Sequence, residues 1–149
     1  MSSREIRFDC GRHADRGVLE VVPCVDGVPL TSLIDQFETG ARMRPAGGAY
    51  GGLLPQFFRF GRLEDHFHGR PTGEMGPKTP VLGCACGDCG CWPLMAGITV
   101  TPAHVVWDSF EQPHRTARDY SGFGPFRFDR RQYDHAVQLL STVISLDGT

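Results

Sequence analysis

The sequence predicts an α+β domain with a mainly antiparallel sheet built from two hairpins, covered by two helices and carrying a cysteine-rich loop. Three observations support this prediction. Two pairs of apolar, β-rich segments are each joined by a polar turn, as in hairpins. Two further segments repeat apolar residues at helical spacing. Four cysteines lie within eight residues, immediately before the second pair of strands.

The first hairpin is predicted near the start of the chain. Residues 4–10 alternate apolar and polar side chains, which is typical of a half-buried strand. Residues 18–25 are rich in β-branched side chains and predict the returning strand. Cys10 and Cys24 fall near facing ends of this hairpin, and they could pair if the register allowed it. Because we expect a reducing compartment, we interpret both as small buried apolar side chains.

A short helix is predicted next, with Thr31 or Ser32 as its cap, an end at about Glu38 and a stop at Gly40. Its apolar stripe consists of Leu30, Leu33, Ile34 and Phe37. Residues 53–63 are apolar and aromatic and predict a further strand, although Pro55 and Gly61 interrupt it.

Glycine and proline predict loops at residues 41–52 and 64–80. The second hairpin is predicted from residues 94–100 and 105–110, which flank a four-residue connection. The aromatic residues between 120 and 128 are interpreted as sealing the edge of the core.

The last predicted element is a helix capped by Asp129. It carries an apolar stripe formed by Tyr133, Ala136, Val137, Leu140, Val143 and Ile144.

The composition limits the classes of function. The chain has 149 residues, which suits a single domain spanning 1–149. A net charge of −2 argues against a dedicated nucleic-acid binder, which usually carries a basic excess. No apolar run approaches the roughly 20 residues needed to cross a bilayer, and no signal core follows Met1. We therefore expect a cytoplasmic protein whose thiols are reduced and available to a metal or to redox chemistry.

The cysteine-rich loop predicts a zinc site. Cys84, Cys86, Cys89 and Cys91 alternate with glycines, which permit the tight turns that a chain needs to wrap around an ion. Zinc prefers tetrahedral thiolate and imidazole ligands, and Cys-rich zinc shells are usually closed and structural. We therefore expect one structural zinc ion rather than a catalytic one.

A distant fourth ligand is expected, because four ligands from one octapeptide would strain the loop. We rank His114 first, since it leaves the second hairpin and could fold back towards the cysteines. The other candidates are His104, the His66-x-His68 pair and Asp88. Alternation along a strand would place Glu64, His66 and His68 on one face.

The motif Gly83-Cys84-x-Cys86-Gly87-x-x-Gly90-Cys91-Trp92-Pro93-Leu94, followed by Val106-Trp107-x-x-Phe110-x-x-Pro113-His114-Arg115, resembles a group of small bacterial proteins with no established activity. The resemblance covers roughly residues 83–130. It implies that Cys84, Cys86 and Cys91 are the essential positions and that Cys89 is an additional thiol. It carries no function to this chain.

We therefore expect a non-enzymatic interaction or adaptor domain with one structural zinc, and another protein as its partner. The alternatives are enzymes. Cys86 and Cys89 have the spacing of a thiol oxidoreductase, although no helix that would lower their pKa is predicted. A metal-dependent hydrolase would need an open metal position lined by His66 or His68. A nucleic-acid zinc knuckle is disfavoured by the net charge.

Overall fold

The computed structural model describes residues 3–13, 17–43, 46–47, 50–54, 63–70, 78–84, 93–113, 115 and 117–147. Within these residues it contains strands β1 (Ile6–Arg12), β2 (Leu19–Val25), β3 (Val28–Pro29), β4 (Tyr50–Gly51), β5 (Thr79–Cys84), β6 (Leu94–Val100), β7 (His104–Glu111) and β8 (Phe126–Asp129). The helices are α1 (Leu30–Gly40), α2 (Leu63–Phe67) and α3 (Arg130–Asp147). Antiparallel sheets and helices confirm the predicted α+β class.

The first sheet has the order β1-β2-β3 and contains the predicted N-terminal hairpin. Ile6 pairs with Val25 and Arg12 pairs with Leu19 across this hairpin. Strands β2 and β3 are joined by Asp26 and Gly27, which both adopt positive φ, as a tight two-residue hairpin turn requires.

The second sheet has the order β4-β5-β6-β7-β8 and contains the other predicted hairpin, β6-β7. The two hairpins therefore lie in separate sheets. Two isolated bridges link the sheets: Arg4 with Phe128 of β8, and Val21 of β2 with Leu53, just after β4. The bridges join each edge of the second sheet to the β1-β2 hairpin, so the strand order closes on itself.

The first helix starts earlier than predicted. Helix α1 begins at Leu30, directly after Pro29, and no side chain caps it, so the prediction of a Thr31 or Ser32 cap was wrong. The buried Leu30 side chain is a physical reason for this start, because it anchors the first turn in the core. The helix continues to Gly40, where the sequence predicts its stop.

The segment between residues 53 and 84 departs most from prediction. Leu53 forms a single bridge rather than a strand, and residues 55–62 lie outside the described residues. Helix α2 occupies part of the predicted loop 64–80. All six residues of β5 are buried, so the alternation that reveals a half-buried strand is absent there.

Helix α3 covers the structure as predicted, and Asp129 caps it by accepting a hydrogen bond from the Gln132 backbone N–H at 3.2 Å. Its Tyr133 packs on Trp107 and Phe128, and the Trp107 indole donates to the Tyr133 hydroxyl at 3.0 Å. The aromatics of segment 120–128 are buried, as predicted. No described helix has the length and apolarity needed to cross a membrane.

Candidate functional site

The described strands that lead to and from the predicted zinc ligands finish together at one end of the second sheet. Strand β5 ends at Cys84, β6 begins at Leu94 and β7 ends at Glu111. The registers pair Leu82 with Leu94, and Met95 with Glu111. These three strand termini therefore lie at the same end of the sheet. Neighbouring strands are about 4.8 Å apart, so β5 and β7 are on the order of 10 Å apart.

Cys84 is the predicted ligand that the structure describes. It is 6% exposed and its backbone pairs with Tyr50 of β4. Cys86, Cys89, Cys91 and His114 lie outside the described residues, as does Asp88. Within the part of the chain that the structure describes, no three His, Cys, Asp or Glu side chains form a group that could hold a metal ion.

His104 cannot share a metal ion with Cys84 in this fold. It begins β7 and pairs with Asp129 of β8. Glu111 lies seven positions further along the strand, which corresponds to roughly 23 Å of extended chain. His104 therefore lies at the opposite end of the sheet from Cys84.

His66 and His68 do not share the face that a strand would give them, because His66 lies in helix α2 and His68 lies in the turn that follows it. The buried His66 ring contacts the Pro80 carbonyl through Nε2 at 2.9 Å, and burial lowers its pKa to about 4. His68 contacts the Glu64 carbonyl at 2.6 Å through Nδ1 and Asp134 at 2.7 Å through Nε2. Both imidazoles fasten α2 to its neighbours, β5 and α3, and among the described residues neither belongs to a group that could hold a metal ion.

A buried polar network lies beside Cys84 at the same sheet end. Tyr50, the strand partner of Cys84, accepts a hydrogen bond at 2.9 Å from the Gln112 side chain and donates one at 3.0 Å to Tyr120. Tyr120 in turn donates to Glu38 of α1 at 2.6 Å. The network therefore ties β4, α1 and the segment after β7 to one another.

Glu38 is the anionic centre of this network and is fully buried. One carboxylate oxygen accepts from Arg118 at 2.8 Å as well as from Tyr120, and the other accepts from the Gly47 backbone N–H at 2.9 Å. Charge-assisted hydrogen bonds of this kind compensate the desolvation of a buried carboxylate. The segment following β7 is thereby held against the C-terminal half of α1.

Burial sets the protonation of the network tyrosines. It raises the pKa of Tyr50, and the hydrogen bond with Tyr120 raises it further. Burial and the hydrogen bond to Glu38 likewise raise the pKa of Tyr120. Burial lowers the pKa of Arg118, but the neighbouring Tyr120 and Glu38 outweigh it and leave that pKa raised. Both phenols therefore stay protonated and act as donors in a chain that ends at the Glu38 carboxylate.

The two N-terminal cysteines are not strand partners. Cys10 pairs with Val21, whereas Cys24 pairs with Arg7, three pairs along the hairpin. Cys24 is buried as predicted, but Cys10 is exposed, so the interpretation of Cys10 as a buried apolar side chain was wrong. The Cys24 thiol donates to Asp9 at 3.2 Å, and burial together with that carboxylate raises its pKa to about 11.

The network of Tyr50, Gln112, Tyr120, Arg118 and Glu38 was missed by the sequence analysis. One signal was available. Glu38 lies four residues after Ile34 and eight after Leu30, in line with the buried stripe of α1. A carboxylate on a core-facing stripe needs buried partners. The identity of those partners depended on tertiary packing that the sequence pattern does not contain.

Comparisons of the chain with protein-family models, with curated proteins and with solved structures gave no match. The function therefore has to be argued from the residues and their arrangement.

Proposed function

We propose that this chain is a cytoplasmic interaction domain in which one structural zinc ion staples the end of the second sheet. The proposed ligands are Cys84, Cys86, Cys91 and His114. Cys89 is an additional thiol in the same loop. The single observation that carries the proposal is the common sheet end shared by Cys84, Leu94 and Glu111.

The register supports this ligand set. Cys84 and Pro93 flank the segment that contains the other three loop cysteines, and Pro113 precedes His114 in the chain. The Gln112–Tyr50 hydrogen bond holds the exit of β7 beside the strand pair formed by Tyr50 and Cys84. A ligand three residues beyond Glu111 can therefore meet the loop that leaves Cys84 without a rearrangement of the sheet. His104 lacks this advantage because it begins the same strand.

A structural role fits the surroundings of Cys84 better than a catalytic role. The strand that carries it is buried throughout, and the adjacent network is tightly hydrogen-bonded. Structural zinc sites are closed by protein ligands, whereas catalytic sites leave a position open to water. A closed site here would fix the loop between β5 and β6 against the segment after β7.

An interaction role is supported by the outer face of α3. Leu139, Val143 and Leu146 are 55%, 40% and 83% exposed, and their spacing places them on one side of the helix. The helix has no Asp, Glu, Lys or Arg between Asp134 and Asp147. Contiguous apolar surface of this kind is typical of protein interaction sites.

The ligand assignment is tested with two cysteine variants. Cys84→Ser should reduce the bound zinc well below the wild-type content and lower the melting temperature, because bound metal stabilises the folded state. Cys24→Ser is the matched control, since Cys24 is also buried but bonds to Asp9. It should keep its zinc. Equal zinc content in both variants would contradict the role of Cys84.

The thiol oxidoreductase alternative makes a different prediction for Cys86 and Cys89. Replacing either residue with serine would abolish disulfide exchange and leave zinc content and melting temperature unchanged. Under the zinc proposal, wild-type protein shows no disulfide exchange. Treatment with a chelator then lowers its melting temperature.

A further inference from the structure

A cleft opens where helix α1 ends, between the last part of that helix and residues 117–122. Its volume is about 640 Å³, which is within the range of small-molecule sites. Its apolar lining includes Phe37, Ala41, Met43 and Ala117. The cleft is therefore large enough and apolar enough to hold a small molecule with a hydrocarbon part.

The apolar part of the cleft is held in place by the core. Phe37 is partly buried, and its ring centroid lies 5.4 Å from that of Phe123 and 6.1 Å from that of Tyr120. Tyr120 is fixed in turn by its hydrogen bond to Glu38. Met43 is also partly buried and packs against the same core. Because these side chains are already ordered, a ligand that contacts them need not order them on binding.

Helix α1 ends at this cleft in a Schellman motif, and Arg42 occupies its left-handed position. The Arg42 backbone N–H donates to the Thr39 carbonyl at 3.1 Å, and the Met43 N–H donates to the Glu38 carbonyl at 3.0 Å. Arg42 has a φ of 59°, where glycine is the usual residue because other side chains are strained. Strain of this kind is often found at functional sites, which directs attention to the Arg42 side chain.

Arg42 also carries the available charge of the cleft. It is exposed, and no ion pair joins it to a described residue. Arg118, the other cation of the lining, is paired with Glu38 at 2.8 Å. The Asp119 carboxylate accepts the Ser121 backbone N–H at 2.9 Å, and its hydrogen bonds with Ser121 lower its pKa. Among the described residues that line the cleft, Arg42 is therefore the cation left for an anionic ligand.

We infer that this cleft binds a small carboxylate with an apolar tail, such as a medium-chain fatty acid. The tail contacts the Phe37 and Met43 side chains, and the carboxylate accepts hydrogen bonds from the Arg42 guanidinium. Arginine can bind a carboxylate through two parallel N–H groups, which gives the pair a defined geometry. None of the described lining residues is a proposed zinc ligand or belongs to α3, so this inference stands independently of the proposed function.

The four methionines allow a direct test on the full-length protein. After ¹³C-methyl labelling of methionine, Met43 reports on the cleft, and Met95, which is buried in β6, is the internal control. Octanoate, octylammonium and octanol have the same tail length and differ in charge, and each is added up to about 3 mM to reveal dissociation constants of about 1 mM. Octanoate should move the Met43 signal but not the Met95 signal. It should bind at least about fivefold more tightly than the other two probes, because it alone pairs with Arg42.

Arginine variants separate binding from a purely structural role. Arg42→Gln should weaken octanoate binding at least about fivefold, and Arg131→Gln, at an exposed position of α3, is the matched control that should keep the wild-type affinity. Arg42→Gly should weaken binding equally without lowering the melting temperature, because glycine suits the positive φ.

The inference is overturned if octanoate does not move the Met43 signal of the folded protein. It is also overturned if octylammonium or octanol binds as tightly as octanoate. Wild-type affinity in folded Arg42→Gln or Arg42→Gly, or an equal loss of affinity in Arg131→Gln, would contradict the role of Arg42.

Discussion

At the scale of single residues, Glu38 shows how far sequence reasoning reaches. Its place on the apolar stripe of α1 marks it as a residue that requires partners. Arg118 and Tyr120 are 80 and 82 residues away, and only the fold brings them to its carboxylate. The residue type was readable from the sequence, but the interaction was not.

Replacing Glu38 with glutamine should destabilise the protein by about 3 kcal/mol, because Arg118 would keep a buried charge without its counter-ion. Urea unfolding followed by circular dichroism measures the change. Glu5→Gln is the control, since Glu5 is exposed, and it should change the free energy of unfolding by less than about 0.5 kcal/mol. Similar effects from both variants would contradict a stabilising role for the network.

His66 should make stability depend on pH. The pKa of the His66 imidazole is about 4 in the folded protein, whereas the unfolded chain has the ordinary value of 6.5. The unfolded chain therefore binds the proton more readily. The stability contributed by His66 is complete above about pH 6.5 and is lost progressively as the pH falls from there to about 4. The loss is on the order of 3 kcal/mol, and the charged imidazole is disfavoured mainly by burial.

Urea unfolding at pH 7 and at pH 5 measures this loss in the wild type and in two histidine variants. His66→Gln cannot titrate and can still donate to the Pro80 carbonyl, so it should lose less stability between these pH values than the wild type does. His135→Gln, at an exposed position on α3, should keep the wild-type dependence. A wild-type slope in His66→Gln would show that other groups cause the loss.

At the scale of elements, both hairpins and the two longer helices were predictable, because their sequences carry strand-forming residues between turn signals or an apolar stripe at helical spacing. Strand β5 was missed since all of its residues are buried and it contains Pro80 and Gly83. Helix α2 was missed because five residues are too few to establish a helical period. Short or fully buried elements take their structure from their neighbours rather than from their own pattern.

The turn after α2 provides a prediction at this scale. Gly69 has a φ of 77°, and a Cβ there would lie 2.5 Å from the Ile98 carbonyl oxygen. Gly69→Ala should therefore lower the free energy of unfolding by more than about 1 kcal/mol. Gly40→Ala, at the end of α1 with open space around it, should be neutral or stabilise by up to about 1 kcal/mol. Thermal unfolding compares the two; equal effects would argue against the close packing of Gly69 on β6.

At the scale of the whole molecule, the sequence predicts the fold class and the two hairpins but not how they join. The link is made by two bridges with backbone hydrogen bonds of 2.7 Å from Arg4 to Arg127 and 2.8 Å in each direction between Val21 and Leu53. Gln132 of α3 adds a side-chain amide that both accepts from and donates to the Ile6 backbone. Isolated contacts of this kind leave no periodic signal in a sequence.

The register of the second sheet explains why the candidate site was only partly predictable from the sequence. The cysteine spacing indicates zinc without any knowledge of the fold. The choice of a distant ligand depends on strand register, which separates His104 from Cys84 and gives the chain after Glu111 the same sheet end as Cys84. The His114 assignment stays a prediction that rests on this register.

Metal content is the most direct test of the zinc staple. The protein is purified without a metal-binding tag, analysed for its elements, and titrated for reactive thiols before and after chelation. We predict about one zinc ion per chain, fewer reactive thiols before chelation than after it, and a lower melting temperature once the metal is removed. A metal-free protein in which all six cysteines react at once, with a melting temperature that a chelator does not change, would contradict the account.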